Sequence, residues 1–527
     1  MATRKDQLDA FNFARRRMVA NIVVPTATGS DEGAPRPVKT FATSIILSAI
    51  AVAAVAVLGV FKPSAPSGWQ AGLAVDSNTG AAYITQNNEL HAVYNITSAR
   101  LVLGSKFQKF DVPDSTLNGA GISIGSPVGI LGAPEDVPSS GNVNLKQWSF
   151  CQNEKEADES QPGGSTYLEI GYWPTADSTP QGQWTGNGQG GNQGANYALI
   201  VHDGQNNVYL VDGDYKYLVG NDTTDQQNVQ NLLVAVNQNR KFVSANVVGF
   251  YVSDAWLSAF ETGANITYPT VDNLGDAAPS GQPGSKIGTY GQNSGINSDG
   301  SVQTAEGLAQ LSPFAYYLYS ANSALADHGV QAFTTAPSPS EINAANNGHT
   351  PNNQDVFEQN TYGSNWPQIA PSLVGTDTQE ATTADICVGY TGVISGQTPQ
   401  LTTWTSAQLP YGTPSQNFGL SQTSSDSAAN VVLVKPGYGL IAQRASGGLR
   451  YLIEDSGYRY GLAVDNTPNS SGGASSGSGS SSSISAIELL GYQDAKVETV
   501  PDNWLNLVQG GATLDPLKAG QTPGTGN

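Results

Sequence analysis

Ser123 is the residue of this chain whose neighbours most suggest nucleophilic chemistry. It lies in "GISIG", Gly121 to Gly125, which has the G-x-S-x-G spacing of a nucleophile elbow. An elbow also needs a strand before the serine, a helix after it, and an ordered Asp and His, and this context is not evident in the sequence. The same spacing recurs in "GASSG" inside a Gly/Ser-rich linker, so the match has little weight. The sequence therefore predicts no catalytic residue.

Phosphate and metal chemistry are not indicated either. The chain lacks the G-x-x-x-x-G-K-[ST] phosphate loop, and the nearest fragment, "GQPGSKIGTY" around Lys286, follows no apolar strand. His91, His202, His328 and His349 are scattered and form no i, i+4 pair that could hold a metal on one helix face. We therefore predict neither a metal ion nor a cofactor.

The charge distribution divides the chain in two. Residues 1–39 carry seven basic and four acidic side chains, whereas 15 basic and 39 acidic side chains follow Lys62. The content of 60 Gly and the charged fraction of only 13% favour a loop-rich β protein that works outside the cytoplasm. Because the acidic part repels phosphate backbones, we predict no nucleic-acid partner.

A 22-residue segment without charge, Thr40 to Phe61, separates the two regions. A helix of this length spans roughly 33 Å, which is enough to cross the hydrocarbon core of a bilayer. A cleaved signal peptide is the alternative, but the preceding 39 residues are too many for one. Because the basic residues lie on the N-terminal side, the positive-inside rule places residues 1–39 in the cytoplasm and residues 63–527 outside a single-pass protein of the plasma membrane.

The segment before the predicted span includes a predicted amphipathic helix. Apolar residues recur near helical spacing in "TRKDQLDAFNFARRRMVANIV", which contains the basic run Arg15, Arg16 and Arg17. This run either contacts lipid headgroups or a partner helix, or is a solvated cluster that sets the membrane orientation. The sequence leaves both possibilities open.

Cys151 and Cys387 are the two cysteines of the chain, and both follow the predicted span. Disulfides persist in an oxidising compartment, so we expect the two residues to be bonded to each other rather than to be buried free thiols. Such a bond would close a very long loop and restrict the unfolded chain.

Two fifteen-residue segments, which we call tails because each closes a predicted repeat, match each other. "VSDAWLSAFETGANI" from Val252 and "VPDNWLNLVQGGATL" from Val500 share six identical positions at an offset of 248 residues. Trp256 and Trp504 occupy one of these positions. Because a buried tryptophan normally serves packing, we predict that both cap the cores of repeated units, with a glycan-binding platform as the alternative.

Four segments have the signals of a hairpin, with a tyrosine among apolar residues, followed by a helix with a polar start. The tyrosines are Tyr83, Tyr209, Tyr317 and Tyr451, and the helices begin near residues 97, 223, 338 and 482. A unit this small cannot bury its apolar face alone, so the copies should pack together. Two units precede the middle of the chain and two follow it, which predicts a pseudo-twofold body.

The predicted fold is therefore α+β and β-rich. One N-terminal transmembrane helix precedes an extracytoplasmic body of four strand-turn-strand-helix repeats around a central domain, with one disulfide. The predicted divisions are a cytoplasmic segment (1–39), the span (40–61), repeat 1 (70–120), the central domain (121–195 and 346–429), repeat 2 (196–272), repeat 3 (300–345), repeat 4 (430–518) and a disordered tail (519–527).

These features together resemble EccB, the single-pass core component of actinobacterial type VII (ESX) secretion systems. Besides the cysteines, the resemblance rests on "TRKDQLDAFNFARRR" before the span, "ELHAVYNITSARLVLG" from Glu89, "PVGILGAPEDVP" from Pro127, "VKPGYGLI" from Val434, "LRYLIEDSGYRYGLA" from Leu449 and "LGYQDAKVETVPDNWLNLVQGGATLDP" from Leu490. It extends from Thr3 to Pro516, nearly the whole chain.

The resemblance implies that Cys151 and Cys387 form the family's disulfide, and that Arg15, Arg16 and Arg17 form the basic end of a cytoplasmic helix. It also implies partners: the EccC motor ATPase, EccD, EccE and the mycosin protease, in a membrane complex in which the chain associates with itself as a dimer or higher oligomer. The implied function is that of a structural core subunit for protein export.

The sequence departs from the family pattern in two ways, and it leaves two other functions to consider. "VKPG" from Val434 has a lysine where the family pattern has a second proline, and the middle of the chain is rich in Asn, Gln, Ser and Gly. Some family members carry the label ATPase, so an extracytoplasmic hydrolase is the first alternative, although no phosphate loop supports it. A cell-wall-binding module that uses Trp256 is the second.

Overall fold

The computed structural model describes residues 3–23, 42–52, 65–153, 164–173, 182–184, 197–237, 249–293, 300–345, 362–363, 366–374, 385–395, 398–406, 409–410, 428–465 and 484–524. Every structural statement below concerns these residues. They form an α+β fold that is rich in strands and contains a disulfide bond, as the sequence predicts.

Most of the helices are short. They are α1 (Arg4–Val23), α2 (42–52), α3 (Ile96–Leu103), α4 (Asp114–Gly119), α5 (Gln226–Val236), α6 (Asp254–Leu257), α7 (Pro313–Ala321), α8 (Ala324–Asp327), α9 (Pro339–Ala345), α10 (Ala486–Leu489), α11 (Asp502–Asn506) and α12 (Pro516–Ala519). Single 3₁₀ turns lie at Trp69–Ala71, Gly104–Lys106 and Ser140–Asn142.

The strands are mostly short as well. They are β1 (Leu73–Asp76), β2 (Ala82–Gln86), β3 (Glu89–Ala92), β4 (Lys109–Val112), β5 (Ser123–Ile124), β6 (Trp148–Asn153), β7 (Ser165–Ile170), β8 (Gly182–Trp184), β9 (Tyr197–His202), β10 (Asn207–Asp212), β11 (Tyr215–Asn221), β12 (Phe250–Tyr251), β13 (Glu261–Thr262), β14 (Tyr290–Gln292), β15 (Gly300–Gln303), β16 (Leu308–Leu311), β17 (Ser372–Val374), β18 (Asp385–Ser395), β19 (Thr398–Ser406), β20 (Val431–Val434), β21 (Gly439–Arg444), β22 (Arg450–Glu454), β23 (Arg459–Leu462), β24 (Val464–Asp465), β25 (Ile484–Ser485) and β26 (Val497–Val500).

The predicted N-terminal helix is present as α1. Thr3 starts it through a reciprocal pair of hydrogen bonds: its N–H donates to the Asp6 carboxylate over 3.0 Å, and the Asp6 N–H donates to its hydroxyl over 3.4 Å. The basic run, Arg15 to Arg17, is exposed. In the part of the chain that is described, no helix is both long enough and apolar enough to span a membrane. Of the predicted span, residues 42–52 are helical, and the rest lies outside the described residues.

The chain separates into two compact units. The smaller unit comprises residues 1–69, 74–81 and 109–121, and the larger comprises residues 70–73, 82–108 and 122–527. In the smaller unit, β1 and β4 are neighbouring strands, and the Ser77 N–H donates to the Val112 carbonyl over 3.0 Å. The strands β2, β3 and β5 to β26 lie in the larger unit.

The sheet that contains the disulfide bond, which we call the central sheet, has the strand order β20-β7-β6-β18-β19-β8. Its neighbouring strands are antiparallel, except that β20 runs parallel to β7. Cys151 of β6 lies directly opposite Cys387 of β18, and the two form the disulfide bond with Cα atoms 4.0 Å apart. The bond therefore joins neighbouring strands whose cysteines are 236 residues apart in sequence.

Two further sheets follow the same chain path. The second sheet has the order β12-β9-β10-β11-β13, with β17 also pairing in parallel with β9, and the fourth has the order β26-β21-β22-β23. In each, three consecutive strands form an antiparallel meander, and the strand after the next helix pairs in parallel with the first of the three. A tail then passes through α6 or α11 and pairs in parallel with the third strand, at Tyr215 and Glu261 in the second sheet and at Arg459 and Gly510 in the fourth.

The third sheet, β14-β15-β16, precedes α7 and shows that the hairpin predicted around Tyr317 is wrong. Tyr317 lies inside α7. The Ser312 hydroxyl caps this helix, and its buried residues Phe314 and Leu318 recur at helical spacing, which a short tyrosine-rich run does not distinguish from a strand. The antiparallel hairpin of this segment lies earlier, at residues 300–311.

The part of the first sheet that lies in the larger unit consists of β2, β3 and β5. There β2 pairs with β3, and β3 runs parallel to β5. Asn87 and Asn88 have φ angles of 50° and 62°, as a two-residue turn between β2 and β3 requires. Tyr83 lies on β2 opposite Ala92. The helices predicted near residues 97, 223, 338 and 482 are confirmed as α3, α5, α9 and α10.

Three cores hold the sheets of the larger unit together. The central core lies between the central sheet and the second and fourth sheets, and it includes Trp148, Trp256 and Trp504. A second core joins the second and third sheets where α5 packs against α7. A third core joins α3 to the fourth sheet where α3 packs against α10 and α12. The second, third and fourth sheets thus bury apolar residues against another sheet or against helices.

The disordered tail predicted from residue 519 is wrong at its start. Ala519 ends α12 and is fully buried, and the Gln521 carbonyl accepts a hydrogen bond of 3.1 Å from the Gly129 N–H. The polar, Gly-rich composition of this segment suggested disorder, but packing against α3 orders its first residues.

The disulfide bond is expected to stabilise the fold mainly by restricting the unfolded chain. Replacing Cys151 and Cys387 together by alanine should lower the free energy of unfolding by about 2–5 kcal/mol, because the bond closes a long loop. Denaturant unfolding under oxidising conditions measures the difference. As a control, a reductant should bring the wild type to the stability of the double variant and leave the variant unchanged. Equal midpoints for the oxidised wild type and the variant would contradict this role.

Candidate functional site

The two matching tails meet in the central core, and this contact is the candidate site. We call it the tail junction, and it consists of Trp256, Ala259, Asn503 and Trp504. Both indole side chains are fully buried, with 0% exposure. Because a glycan-binding platform needs an exposed ring, that alternative for Trp256 is wrong.

Short helices position the two tryptophans. The Ser253 hydroxyl starts α6 by accepting a hydrogen bond of 3.2 Å from the Trp256 N–H. In α11, which follows Pro501, the Asn503 side-chain oxygen accepts a bond of 3.0 Å from the Trp504 N–H. Each helix directly follows a strand, β12 or β26, that pairs with the first strand of its sheet. The sheet therefore fixes where each indole enters the core.

The central sheet holds both tails at the same position. The Gln152 side-chain amide of β6 donates to the Tyr251 carbonyl over 3.1 Å. The Tyr390 hydroxyl of β18 donates to the Thr499 carbonyl over 2.7 Å. Tyr251 and Thr499 are 248 residues apart, which is the offset between the matching tails. Two chemically different side chains thus bind corresponding backbone carbonyls.

Direct hydrogen bonds join the two tails. The Asn503 side-chain amide donates to the Ser258 carbonyl over 3.1 Å and to the Ala259 carbonyl over 3.0 Å. The Trp504 indole N–H also donates to the Ala259 carbonyl, over 3.0 Å. Because the Trp504 indole is buried, its bond satisfies a donor that would otherwise be costly to remove from water.

The junction is not symmetric. The Trp256 indole nitrogen is buried and makes no hydrogen bond within the described residues. The residue corresponding to Ala259 is Leu507, whose carbonyl instead accepts a hydrogen bond of 3.1 Å from the Ala429 N–H. Asn503 corresponds to Ala255, which has no side-chain donor. The bonds therefore run from the fourth-sheet tail to the second-sheet tail.

Aromatic rings surround the junction. The Trp504 ring meets Trp148 edge to face at a centroid distance of 6.4 Å and lies 5.7 Å from the Tyr390 ring. The Trp256 ring lies 4.8 Å from the Phe260 ring. Such contacts add to the apolar area that these side chains bury. Both tryptophans therefore pack in the central core.

A partly buried cation caps each tryptophan helix. The Lys216 ammonium of β11 donates to the Leu257 carbonyl over 2.7 Å, and the Arg459 guanidinium of β23 donates to the Leu505 carbonyl. These carbonyls lie at or near the C-terminal ends of α6 and α11, where a positive charge is favourable. Burial lowers the pKa of both Lys216 and Arg459. Each cation ties the third strand of its sheet to its own tail.

The sequence reasoning missed Lys216, Arg459 and Asn503. Aligning "YLVDGDYKYLV" with "YLIEDSGYRYGLA" would have placed Lys216 beside Arg459, because both follow a tyrosine in the third strand. Tyr209 and Tyr451, which the sequence does indicate, are partly buried and pack against the central core.

The other sequence candidates lie away from the junction. Ser123 is in β5, and the residues after it are not helical, so the nucleophile elbow is absent there. The Lys286 ammonium donates to the His328 carbonyl over 2.9 Å, and the His91 ring nitrogen Nδ1 lies 2.7 Å from the Ser126 carbonyl. His202 packs against a tyrosine, and burial lowers its pKa. Within the described ranges, no group of three or more His, Cys, Asp or Glu residues could hold a metal ion.

Comparison with solved structures defines the class of protein. The fold resembles a chain of an intact ESX-5 inner membrane complex, with a TM-score of 0.59, 19% identity, and coverage of 100% of this chain and 97% of that chain. It also resembles a chain of the EccB3 dimer from the ESX-3 core complex, with a TM-score of 0.58, 19% identity, and coverage of 85% and 100%. The fold is therefore one shared with chains of ESX membrane assemblies.

The chain belongs to the EccB family. It matches the family described as "Type VII secretion system ESX-1, transport TM domain B" over residues 1–524. EccB1 of Mycobacterium tuberculosis, named as an ESX-1 secretion system ATPase, is 33% identical over 161 residues, which are 30% of this chain and only 32% of EccB1. EccB3 of the same species, named as an ESX-3 secretion system ATPase, is 23% identical over 535 residues, with coverage of 98% and 88%.

The asymmetry of the junction leads to a matched pair of substitutions. Trp504→Phe should lower the free energy of unfolding by about 1 kcal/mol more than Trp256→Phe, because only the first removes a hydrogen bond. Both substitutions remove the same atoms from a fully buried site, so each serves as the control for the other. Denaturant unfolding of the two variants measures the difference, and an equal or reversed ranking would argue against the junction as described.

Proposed function

We propose that this chain is a non-catalytic structural core subunit of a type VII secretion membrane complex. The observation that carries the proposal is the extent of the likeness: the shared fold covers all of this chain and 97% of a chain that is part of an intact ESX-5 inner membrane complex. A subunit of this kind must keep its shape while neighbouring subunits move. The disulfide, the tail junction and the docking of both tails on the central sheet supply that rigidity.

We also infer that the four sheets are copies of one repeat arranged around the central sheet with pseudo-twofold symmetry. A twofold axis would relate the second sheet to the fourth and the third sheet to the first. The packing of α5 on α7 would then correspond to the packing of α3 on α10 and α12. The paired cations Lys216 and Arg459 support this relation, because each binds the corresponding carbonyl of its own tail.

The proposed topology is a single-pass protein of the plasma membrane with its N-terminus in the cytoplasm. The uncharged segment from Thr40 to Phe61 and the basic residues before it support this orientation. The exposed basic run on α1, Arg15 to Arg17, is then available to cytoplasmic partners or lipid headgroups.

The proposed partners are the EccC motor ATPase, EccD, EccE and the mycosin protease. Self-association is supported by a solved structure in which the related EccB3 is a dimer. In this proposal, the body outside the membrane holds copies of the chain together, and α1 connects them to the motor inside.

The names of the relatives favour one other function, an extracytoplasmic ATPase. Lys286 lies in the fragment nearest to a phosphate loop, but its ammonium binds the His328 carbonyl, whereas a P-loop lysine reaches the nucleotide phosphates. ATP hydrolysis by the purified full chain that Lys286→Ala removes would support this function. Lack of any hydrolysis by the wild type would exclude it.

Purification of the full chain in a mild detergent tests the structural function. A tagged copy expressed in its own host should bring down the motor, the multispanning subunit and further copies of itself, which mass spectrometry identifies. Replacing Arg15, Arg16 and Arg17 by alanine should weaken capture of the motor by roughly tenfold if the run binds it. Capture of further copies should be unchanged, because the body holds them.

A copy of the same chain with the tag at a different position controls for effects of the tag. Recovery of a lone monomer in every mild detergent would contradict the proposed function. Recovery of the complex with full motor capture by the triple variant would leave the structural function standing and remove Arg15 to Arg17 from the contact.

A further inference from the structure

Two turns of the larger unit carry the same unusual group. The middle strand of the second sheet ends at Asp212, and the middle strand of the fourth sheet ends at Glu454. Both carboxyl groups are buried, with residue exposures of 8% and 2%. One oxygen of Asp212, Oδ1, accepts no hydrogen bond from the described residues. Because a buried carboxylate oxygen without a hydrogen bond is costly, Asp212 favours the protonated form. Glu454 accepts hydrogen bonds from the Ser456 N–H, over 3.0 Å, and from the Ser456 hydroxyl, and its burial opposes ionisation.

A second acid in each turn binds the backbone of a neighbouring segment. Asp214 accepts a hydrogen bond of 2.8 Å from the Leu401 N–H, and Asp455 accepts one of 2.8 Å from the Gly437 N–H. Leu401 lies on β19 of the central sheet, and Gly437 lies in the turn that follows β20 of the same sheet. The two turns therefore bind backbone groups near the two opposite edges of the central sheet.

The approach of the fourth-sheet turn to β20 is close. Gly457 has a φ of 79°, and a Cβ atom at this position would lie 3.0 Å from the Val432 carbonyl of β20. Only glycine fits such a position without strain. The turn is thus built to rest on the edge of the central sheet, and a charge change inside it acts directly at that contact.

We propose that the turns at Asp212–Asp214 and Glu454–Asp455 are two proton-operated clamps on the central sheet, closed when Asp212 and Glu454 are protonated and loosened when they ionise. In the closed state each turn carries one negative charge, on the acid that binds the backbone N–H. Ionisation places a second negative charge beside it, on the buried carboxyl group, and the two like charges repel each other.

The titration falls in a useful range. Burial, and then the charge of Asp214, raise the pKa of Asp212 to about 7. Burial, and then a hydrogen bond with Asp455, raise the pKa of Glu454 to about 7. Burial also raises the pKa of Asp214, against the lowering effect of its bond from Leu401. Around the first turn, the described groups with charge interactions are Tyr215, Tyr217 and Glu261. Around the second turn, they are Tyr458, Tyr460 and Tyr492, and the charges of Arg100 and Asp136 act on Tyr492.

The direction of the pH effect follows from these raised pKa values. The folded state holds the two protons more tightly than a state in which the turns are open to water. The contribution to closure is therefore complete below the ordinary carboxyl pKa of about 4 and is lost as pH rises through about 7. The clamps should be closed in mildly acidic medium and loose in mildly alkaline medium.

Hydrogen exchange of the full chain tests the proposal on each clamp separately. After correction for the intrinsic pH dependence of exchange, protection of the Leu401 and Gly437 amides should fall on the order of tenfold between about pH 5 and about pH 8. Asp212→Asn should abolish the pH dependence at Leu401 and leave it intact at Gly437. Glu454→Gln should do the reverse, because the neutral amides mimic the protonated carboxyl groups.

Asp272→Asn, which changes an exposed carboxyl group, serves as a control and should leave both pH dependences unchanged. Circular dichroism checks that every variant is folded, and wild-type protein alone still tests the proposal if a variant is not. Protection that is constant with pH in the wild type would overturn it. So would a fall that both variants retain at both amides.

Discussion

The burial of two tryptophans in one core is the constraint on which the rest of this structure depends. The second and fourth sheets are too small to bury their apolar faces alone, and each needs the central sheet to cover it. Their tails deliver Trp256 and Trp504 to the same core, and the Trp504 indole N–H binds the Ala259 carbonyl there. Packing of α5 on α7 then links the third sheet to the second, and packing of α10 and α12 on α3 extends the fourth.

Electrostatics in the larger unit follow from the small number of cations. Where a cation is partly buried, its position is specific: Lys216 and Arg459 each bind a carbonyl near the end of a tryptophan helix. Where an acid is buried, as at Asp212 and Glu454, its neighbours are other acids and tyrosines, so its proton is held more tightly. A few ionisable side chains therefore have a structural role at defined positions, although most charged side chains lie on the surface.

The sequence predicted the parts of the fold that have local signals. The matching tails, the helix starts, and the tyrosines at 83, 209 and 451 all lie in segments whose hydrophobic pattern and turn residues agree. Tyr317 was misplaced because "PFAYYLYSA" is apolar at nearly every position, so its period does not separate helix from strand. Ser312 followed by Pro313 was the signal that would have corrected this.

The junction itself could not be predicted, because its bonds connect side chains to backbone carbonyls of distant segments. Nothing in the local sequence around Asn503 indicates the Ser258 carbonyl, and nothing around Asp214 indicates the Leu401 N–H, 187 residues away. Backbone groups occur at every residue, so their use leaves no residue type to recognise. An alignment of the second and fourth sheets reveals the positions, but not their partners.

The contact between Gly129 and Gln521 has a consequence for synthesis. The helix α12 is packed against α3, and β6 pairs with β18, which is made far later. A chain that emerges with its N-terminus first can pair β2 with β3 at once, but it must leave one edge of β6 open until β18 has been made. Contacts of such high sequence separation slow folding and leave edges exposed, so the nascent body depends on being shielded until it closes.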